Sequence, residues 1–261
     1  MPRISSRIGR LILALCAPVA TAQAAEPFIE TFSAGMNGWT NTAGQAWQVN
    51  SGSARTVFPG NFVPGDTTLA ATGALQTAAF TGNYAAAGIT LVGFKFQGVN
   101  DLPAGLTFRL FSGTNSFTRS LSAFVAATGV WYQFFFSLEN KAAGVWVGGD
   151  ESAFAAAMQD ITRVDFAIAN MNSPVGVAST FRIDDIVVDR LPAATSIAAS
   201  GGTNLLITGD FLQSNVTYLV EATPELTGVW TAVQSVLATN RSQLITLTND
   251  GNQLFWRIAL P

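Results

Sequence analysis

The chain has 261 residues, of which 49% are hydrophobic and only 11% charged, and its formal net charge is −3. That balance argues against disorder, and its 13 scattered basic residues set among 16 acidic ones do not form the clustered cationic surface that nucleic acid requires. There is no histidine, which removes histidine-based nucleophilic catalysis, histidine acid–base chemistry and histidine-ligated zinc together.

Arg3, Arg7 and Arg10 precede an apolar run from Leu11 to Ala22, and Ala22-Gln23-Ala24 is a small-x-small cleavage site. This layout predicts a secretory signal peptide over residues 1–24. The run contains Pro18 and falls well short of the ~20 residues that span a bilayer; no later segment is long enough either, so no membrane span is expected after cleavage. Arg7 and Arg10 are not adjacent, which points to Sec-type rather than twin-arginine export. The only cysteine, Cys16, lies inside this segment, preceded by Leu15 rather than the small residue that a lipoprotein box requires. The mature chain is therefore expected to be secreted or displayed on a bacterial surface without any disulfide.

Beyond residue 25 the sequence reads as strands. Runs rich in Val, Ile, Phe and Thr recur between Gly, Asn, Pro and Ser clusters, among them Ile89–Gln97, Leu106–Ser112, Trp131–Leu138, Val164–Ala169 and Thr180–Asp189. Asp150–Asp160 is the one stretch that suits a short helix, with acids at its front and Ala and Met behind them. Leu191–Gly202 is small, polar and Pro/Gly-bearing, as a linker is, although Ser196-Ile197-Ala198 can open a strand. Five further strand candidates follow: Asn204–Thr208, Thr217–Ala222, Trp230–Val236, Gln243–Thr248 and Leu254–Leu260. The expected organisation is a β-sandwich over 26–190, a linker over 191–202 and a small β-sandwich over 203–261. No repeat of fixed period runs along the chain, which disfavours a solenoid or propeller.

The opening Phe28-Ile29-Glu30-Thr31-Phe32-Ser33 with Gly38-Trp39 after it, Gly129-Val130-Trp131 at a strand start, and the closing Phe181-Arg182-Ile183-Asp184-Asp185-Ile186 together resemble the β-jelly-roll carbohydrate-binding modules of secreted bacterial proteins. The resemblance implies an all-β fold, a jelly roll with its first and last strands side by side, and a structural calcium on carboxylates of those strands. Carried over residue by residue, those are Glu30, Asp185 and Asp184. Alternatively, the two aspartates form a turn or a solvated strand edge. Tyr218–Thr223, Leu226, Trp230 and Phe255-Trp256-Arg257-Ile258 are similar to small immunoglobulin- or fibronectin-like sandwiches that close exported proteins of Verrucomicrobia-like bacteria, a similarity that implies no activity.

For chemistry, the chain lacks the Glu-x-Asp-x-Glu strand of sandwich glycosidases, a phosphate loop and a nucleophile elbow. Sugar binding needs aromatic platforms and a few orienting polar groups. Trp47 and Trp146 lie near Gly-rich loops and are the platform candidates, with a packed structural role as the other reading; Trp39 and Trp131 read as core. Alternation places Lys95, Gln97, Arg109 and Gln133 opposite the phenylalanines, either as one polar ligand face or as an ordinary solvated face. The expected function is non-catalytic binding of a polysaccharide or surface glycan. A structural or adhesive surface protein that self-associates is the rival, and a polysaccharide-active enzyme stands third.

Overall fold

The computed structural model describes residues 27–60, 65–73, 75–139, 141, 146–170, 177–199, 204–248 and 255–260; the expected signal peptide and part of the expected linker lie outside them. The strands of the first unit are β1 (Phe28–Glu30), β2 (Thr40–Gly44), β3 (Trp47–Asn50), β4 (Ser53–Phe58), β5 (Gly65–Ala71), β6 (Leu91–Gly98), β7 (Gly105–Ser112), β8 (Asn115–Ser120), β9 (Trp131–Ser137), β10 (Arg163–Asn170) and β11 (Ser179–Asp189). They form two antiparallel sheets. One runs β3-β4-β11-β6-β9 with β1 against β11, and the other runs β2-β5-β10-β7-β8.

Period-two alternation decides what each strand buries. Phe94 and Phe96 of β6, Phe108 of β7, Phe134 and Phe136 of β9, Phe166 of β10 and Phe181 of β11 all point between the sheets. Phe94 sits at the centre, with ring centroids 4.6 Å from Phe166, 5.2 Å from Phe134 and 6.0 Å from Phe108. Burying each such side chain stabilises the fold by about 1.5–3 kcal/mol, so this aromatic layer replaces the missing disulfide. A short helix, α1 (Tyr84–Ala87), precedes β6, and α2 (Glu151–Ala157) follows β9. Asp150 caps α2 by accepting from the Ala153 N–H at 2.8 Å, which is why the acid-led stretch was readable as a helix start.

β1 pairs with β11 through Phe28↔Val188, Ile29↔Val187 and Glu30↔Ile186, so the first and last strands of this jelly-roll sandwich are neighbours. β11 carries one extra residue relative to β6: Asp184 stands opposite Lys95 but Val187 opposite Gly93. The bulge falls at Asp185, whose φ of 45° lies in the left-handed region that Asp tolerates better than most residues. Upstream of it Phe181 and Ile183 face inward while Arg182 and Asp184 face outward. Downstream the phase changes, so that Ile186 and Val188 face inward and Val187 and Asp189 outward.

The second unit comprises β12 (Ala193–Ala199), β13 (Asn204–Asp210), β14 (Thr217–Thr223), β15 (Thr231–Leu237), β16 (Gln243–Thr248) and β17 (Phe255–Ala259). Two small sheets, β12-β13-β16 and β15-β14-β17, enclose a separate core of Ile207, Leu212, Tyr218, Val220, Ile245, Leu247 and Ile258. Most of the stretch expected as a linker is instead strand β12, paired to β13 from Ala193↔Asp210 to Ala199↔Leu205. Its small Ala, Ser and Thr side chains, which suggest a linker by composition, equally suit an exposed edge strand.

The two units meet on the outer face of the six-stranded sheet. Phe135 of β9 packs against the second core. Asp189, 1% exposed, accepts from Gln213 Nε2 at 2.5 Å and from both terminal nitrogens of Arg241.

Candidate functional site

The second unit covers only one end of that outer face. Over the open end, five strands place one residue each in a continuous register: Gln48 on β3, Arg55 on β4, Arg182 on β11, Gln97 on β6 and Trp131 on β9. At about 4.8 Å per strand the row is about 19 Å long. One step along, Asp184, Lys95 and Gln133 form a second row. An open depression of about 310 Å³ lies between the rows and the β3–β4 turn, lined by Ser51, Ser53, Lys95, Trp131, Arg182 and Asp184. A second hollow of about 230 Å³ begins at Lys95 and Gln133 and is walled by Gln213–Val216 of the second unit.

Trp131 is 39% exposed, so the reading of it as core is corrected. It shares the phase of Gln133 and Phe135, whereas Phe134 and Phe136 are buried on the alternate phase. That alternation is the signal in the sequence that identifies it. Gln97 is held by donating from Nε2 to the Gly129 carbonyl at 2.9 Å, and Arg182 donates from Nη2 to Asn50 Oδ1 at 3.2 Å. The site is therefore an aromatic face at one end of a line of hydrogen-bonding and cationic side chains on rigid strands.

Lys95 lies on this face as expected and pairs with Asp185 at 2.6 Å, both side chains about one-third exposed. Arg109 does not join it. Arg109 is on the outer face of the opposite sheet, where its Nε donates to Asp165 Oδ1 at 2.5 Å; Arg163 approaches the other oxygen at 3.2 Å. Asp165 is almost fully buried, and burial pushes its carboxyl above the ordinary range against the pull of the two arginines. Phase within a strand told which side chains point outward, but not from which sheet.

Neither platform candidate faces solvent. Trp47 is 8% exposed and points inward from β3, leaving Gln48 outside. Trp146 is 2% exposed and packs against Phe154, Phe108 and Phe136, with centroids 5.5–6.2 Å away. The glycines beside it serve close packing: a Cβ on Gly148 would lie 2.1 Å from the Ser116 carbonyl oxygen, where the segment bridges back to β8 through Thr118↔Val147.

The three acids of the implied calcium site divide. Glu30 is buried, and its Oε1 accepts from the Phe32 N–H at 2.6 Å and from Asn37 Nδ2 at 2.9 Å, while Oε2 has no hydrogen-bond partner. β4 pairs with β11 as far as Ile183 and β1 takes over from Ile186, so the gap between them falls at Asp184–Asp185. Asp184 is pushed up to about 6, chiefly by burial, opposed by the hydrogen bond from the Asp185 N–H; the charges of Asp185 and Glu30 raise it further and Lys95 lowers it. Asp185 is engaged by Lys95. Among the described residues no group of three or more acidic, histidine or cysteine side chains is placed to hold a metal ion. The unpartnered Oε2 of Glu30 is the feature here that bears on a cation, and the Glu30 charge reaches Asp184.

No family model and no curated protein matches the chain. Among solved structures it is similar to the family 11 carbohydrate-binding module of Clostridium thermocellum in complex with a β-1,3-1,4-mixed-linked tetrasaccharide, at 12% identity and a TM-score of 0.38, covering 63% of this chain and 96% of that one. A family 30 carbohydrate-binding module of a C. thermocellum cellulosomal cellulase gives 10% identity and a TM-score of 0.36 over 64% of this chain and 94% of that one. An exo-β-agarase gives 12% identity and a TM-score of 0.44 over 64% of this chain but only 26% of its own length.

Proposed function

We propose that the protein is an exported, non-catalytic glycan-binding module whose ligand lies across the open face of the six-stranded sheet. The observation that carries this is Trp131, partly exposed at the end of the Gln48–Arg55–Arg182–Gln97 row. A pyranose ring stacks its CH face on indole while amide and guanidinium groups fix its hydroxyls. Lys95 and Gln133 extend the face toward the second unit. Arg109, Trp47 and Trp146 have structural work instead.

Calcium belongs to this reading as a stabiliser of the β1–β11 junction through Glu30 and Asp184, supported by the unpartnered Oε2 of Glu30. Secretion through residues 1–24 remains part of the proposal. Self-association is the second reading, favoured by Leu226 and Val229 in the β14–β15 connection of the second unit, each more than 60% exposed. The deciding experiment is titration of polysaccharides against intrinsic tryptophan fluorescence. Quenching that disappears in Trp131→Ala supports the proposal, while a panel that leaves the spectrum unchanged, with concentration-dependent assembly in solution, favours the second reading.

A further inference from the structure

We infer that the polysaccharide taken by this face is anionic, bearing carboxylate or sulfate groups that Arg55 and Arg182 receive. The inference rests on the glycan-binding reading above and narrows its ligand class. Arg55 and Arg182 are direct partners in the β4–β11 register, on the same side of the sheet. Like charges so placed repel one another and destabilise the pair.

Four of the six other described arginines are neutralised by carboxylates, while Arg119 lies over the Phe136 ring and Arg190 donates to the Ala87 carbonyl. Arg109 and Arg163 share Asp165, Arg241 holds Asp189, and Arg257 pairs with Glu221 at 2.7 Å. Among the described residues neither Arg55 nor Arg182 forms an ion pair. The Nε of each is also buried without a hydrogen-bond partner. Arg182 has only the Asn50 amide oxygen, and the nearby Lys95 charge is balanced by Asp185. Asp184 is the acid on the depression, and its Oδ1 is taken by the Asp185 N–H.

Two adjacent guanidinium groups without carboxylates, half-buried on rigid central strands, constitute a preorganised fork for planar or tetrahedral oxyanions. Trp131 stands two strands from Arg182, so a ring stacked on it would direct the charged group of a neighbouring sugar toward the pair. The chain as a whole is acidic, with a net charge of −3, so general electrostatic attraction to a polyanion is weak and binding would have to be local.

Affinity electrophoresis tests this with four polymers: polygalacturonate, its carboxyl-reduced neutral form, a sulfated carrageenan and a neutral mixed-linkage β-glucan. The expected result is retardation by polygalacturonate or carrageenan about tenfold stronger than by the neutral polymers, weakening with added salt. Which polyanion retards the protein separates carboxylate from sulfate. Arg55→Gln and Arg182→Gln should each lose about tenfold in affinity at a melting temperature no lower than that of the wild type, since each relieves the repulsion, and Arg182→Lys should recover only part of the affinity. Equal retardation by neutral and charged polymers, or glutamine variants that bind as the wild type does, overturns the anionic class and leaves glycan binding standing. Retardation by none of the four overturns both.

Discussion

Arg241 of the second unit places its two terminal nitrogens on the two carboxylate oxygens of Asp189, the last residue of β11. Asp189 is 1% exposed and the Arg241 side chain about half exposed, so the acid is the member that cannot be left alone. Arg241→Ala should lower stability by about 2–3 kcal/mol, because it strands a buried carboxylate with Gln213 as its main remaining partner across the seam. Urea unfolding measures this, and an unchanged midpoint would mean that the seam contributes nothing to the fold.

The tryptophans divide by location. Trp146→Ala should cost about 3–5 kcal/mol by opening a cavity among Phe108, Phe136 and Phe154. Trp131→Ala should change stability by no more than about 1 kcal/mol, yet abolish glycan binding. Thermal melts beside the fluorescence titration check the pair. The assignment fails if Trp131→Ala binds normally.

Arg109→Ala supplies the control on the opposite sheet. Removing it leaves Asp165 with Arg163 alone, so a loss of about 1–3 kcal/mol is expected while polysaccharide affinity stays that of the wild type. A fall in affinity without a fall in stability would move the ligand to that face.

Asp184, pushed up to about 6 from 3.8, makes stability depend on pH. The folded chain holds this proton more tightly than the unfolded one, so folding takes up protons between about pH 4 and pH 6. In chelator, stability should therefore fall as pH rises through that window, with Asp165 acting in the same direction. Asp184→Asn should flatten the profile and be more stable than the wild type at neutral pH. Denaturant midpoints across the range decide it; a profile that Asp184→Asn leaves unchanged removes Asp184 as its cause.

Calcium reverses that preference, since it needs Asp184 ionised. Binding only to the folded state adds RT ln(1 + [L]/Kd), about 2.7 kcal/mol at a hundredfold excess over Kd. Calcium should raise the melting temperature of the wild type and not that of Glu30→Gln. Identical melts in calcium and chelator would remove the metal from the β1–β11 junction.

Much of the fold was legible because period-two burial is written into neighbouring residues. Phe94 and Phe96 against Lys95 and Gln97 mark β6 and its two faces without any partner. Trp131 was legible by the same rule, as a phase-mate of Gln133, but an aromatic at the head of an apolar run draws the eye to the core. Trp146 was not legible, because its burial depends on Phe108, Phe136 and Phe154 arriving from elsewhere in the chain. The same limit separates Arg109 from Lys95: strand order within and between sheets is a long-range property. The Arg55–Arg182 pair lies 127 positions apart and exists only once β4 docks on β11.

The extra residue at Asp185 sets how freely β11 can change length over evolutionary time. Excising that one position would leave Asp184 outward, Ile186 inward and Asp189 outward, a regular pleat with every later side chain on the face it already has. Excising any later position of the strand instead would turn Asp189 toward the hydrocarbon layer and take its carboxylate from Arg241. A one-residue change of length is therefore absorbed at Asp185 and purged between it and Asp189, so the kink behaves as an expansion joint that protects the seam shared by both halves of the molecule.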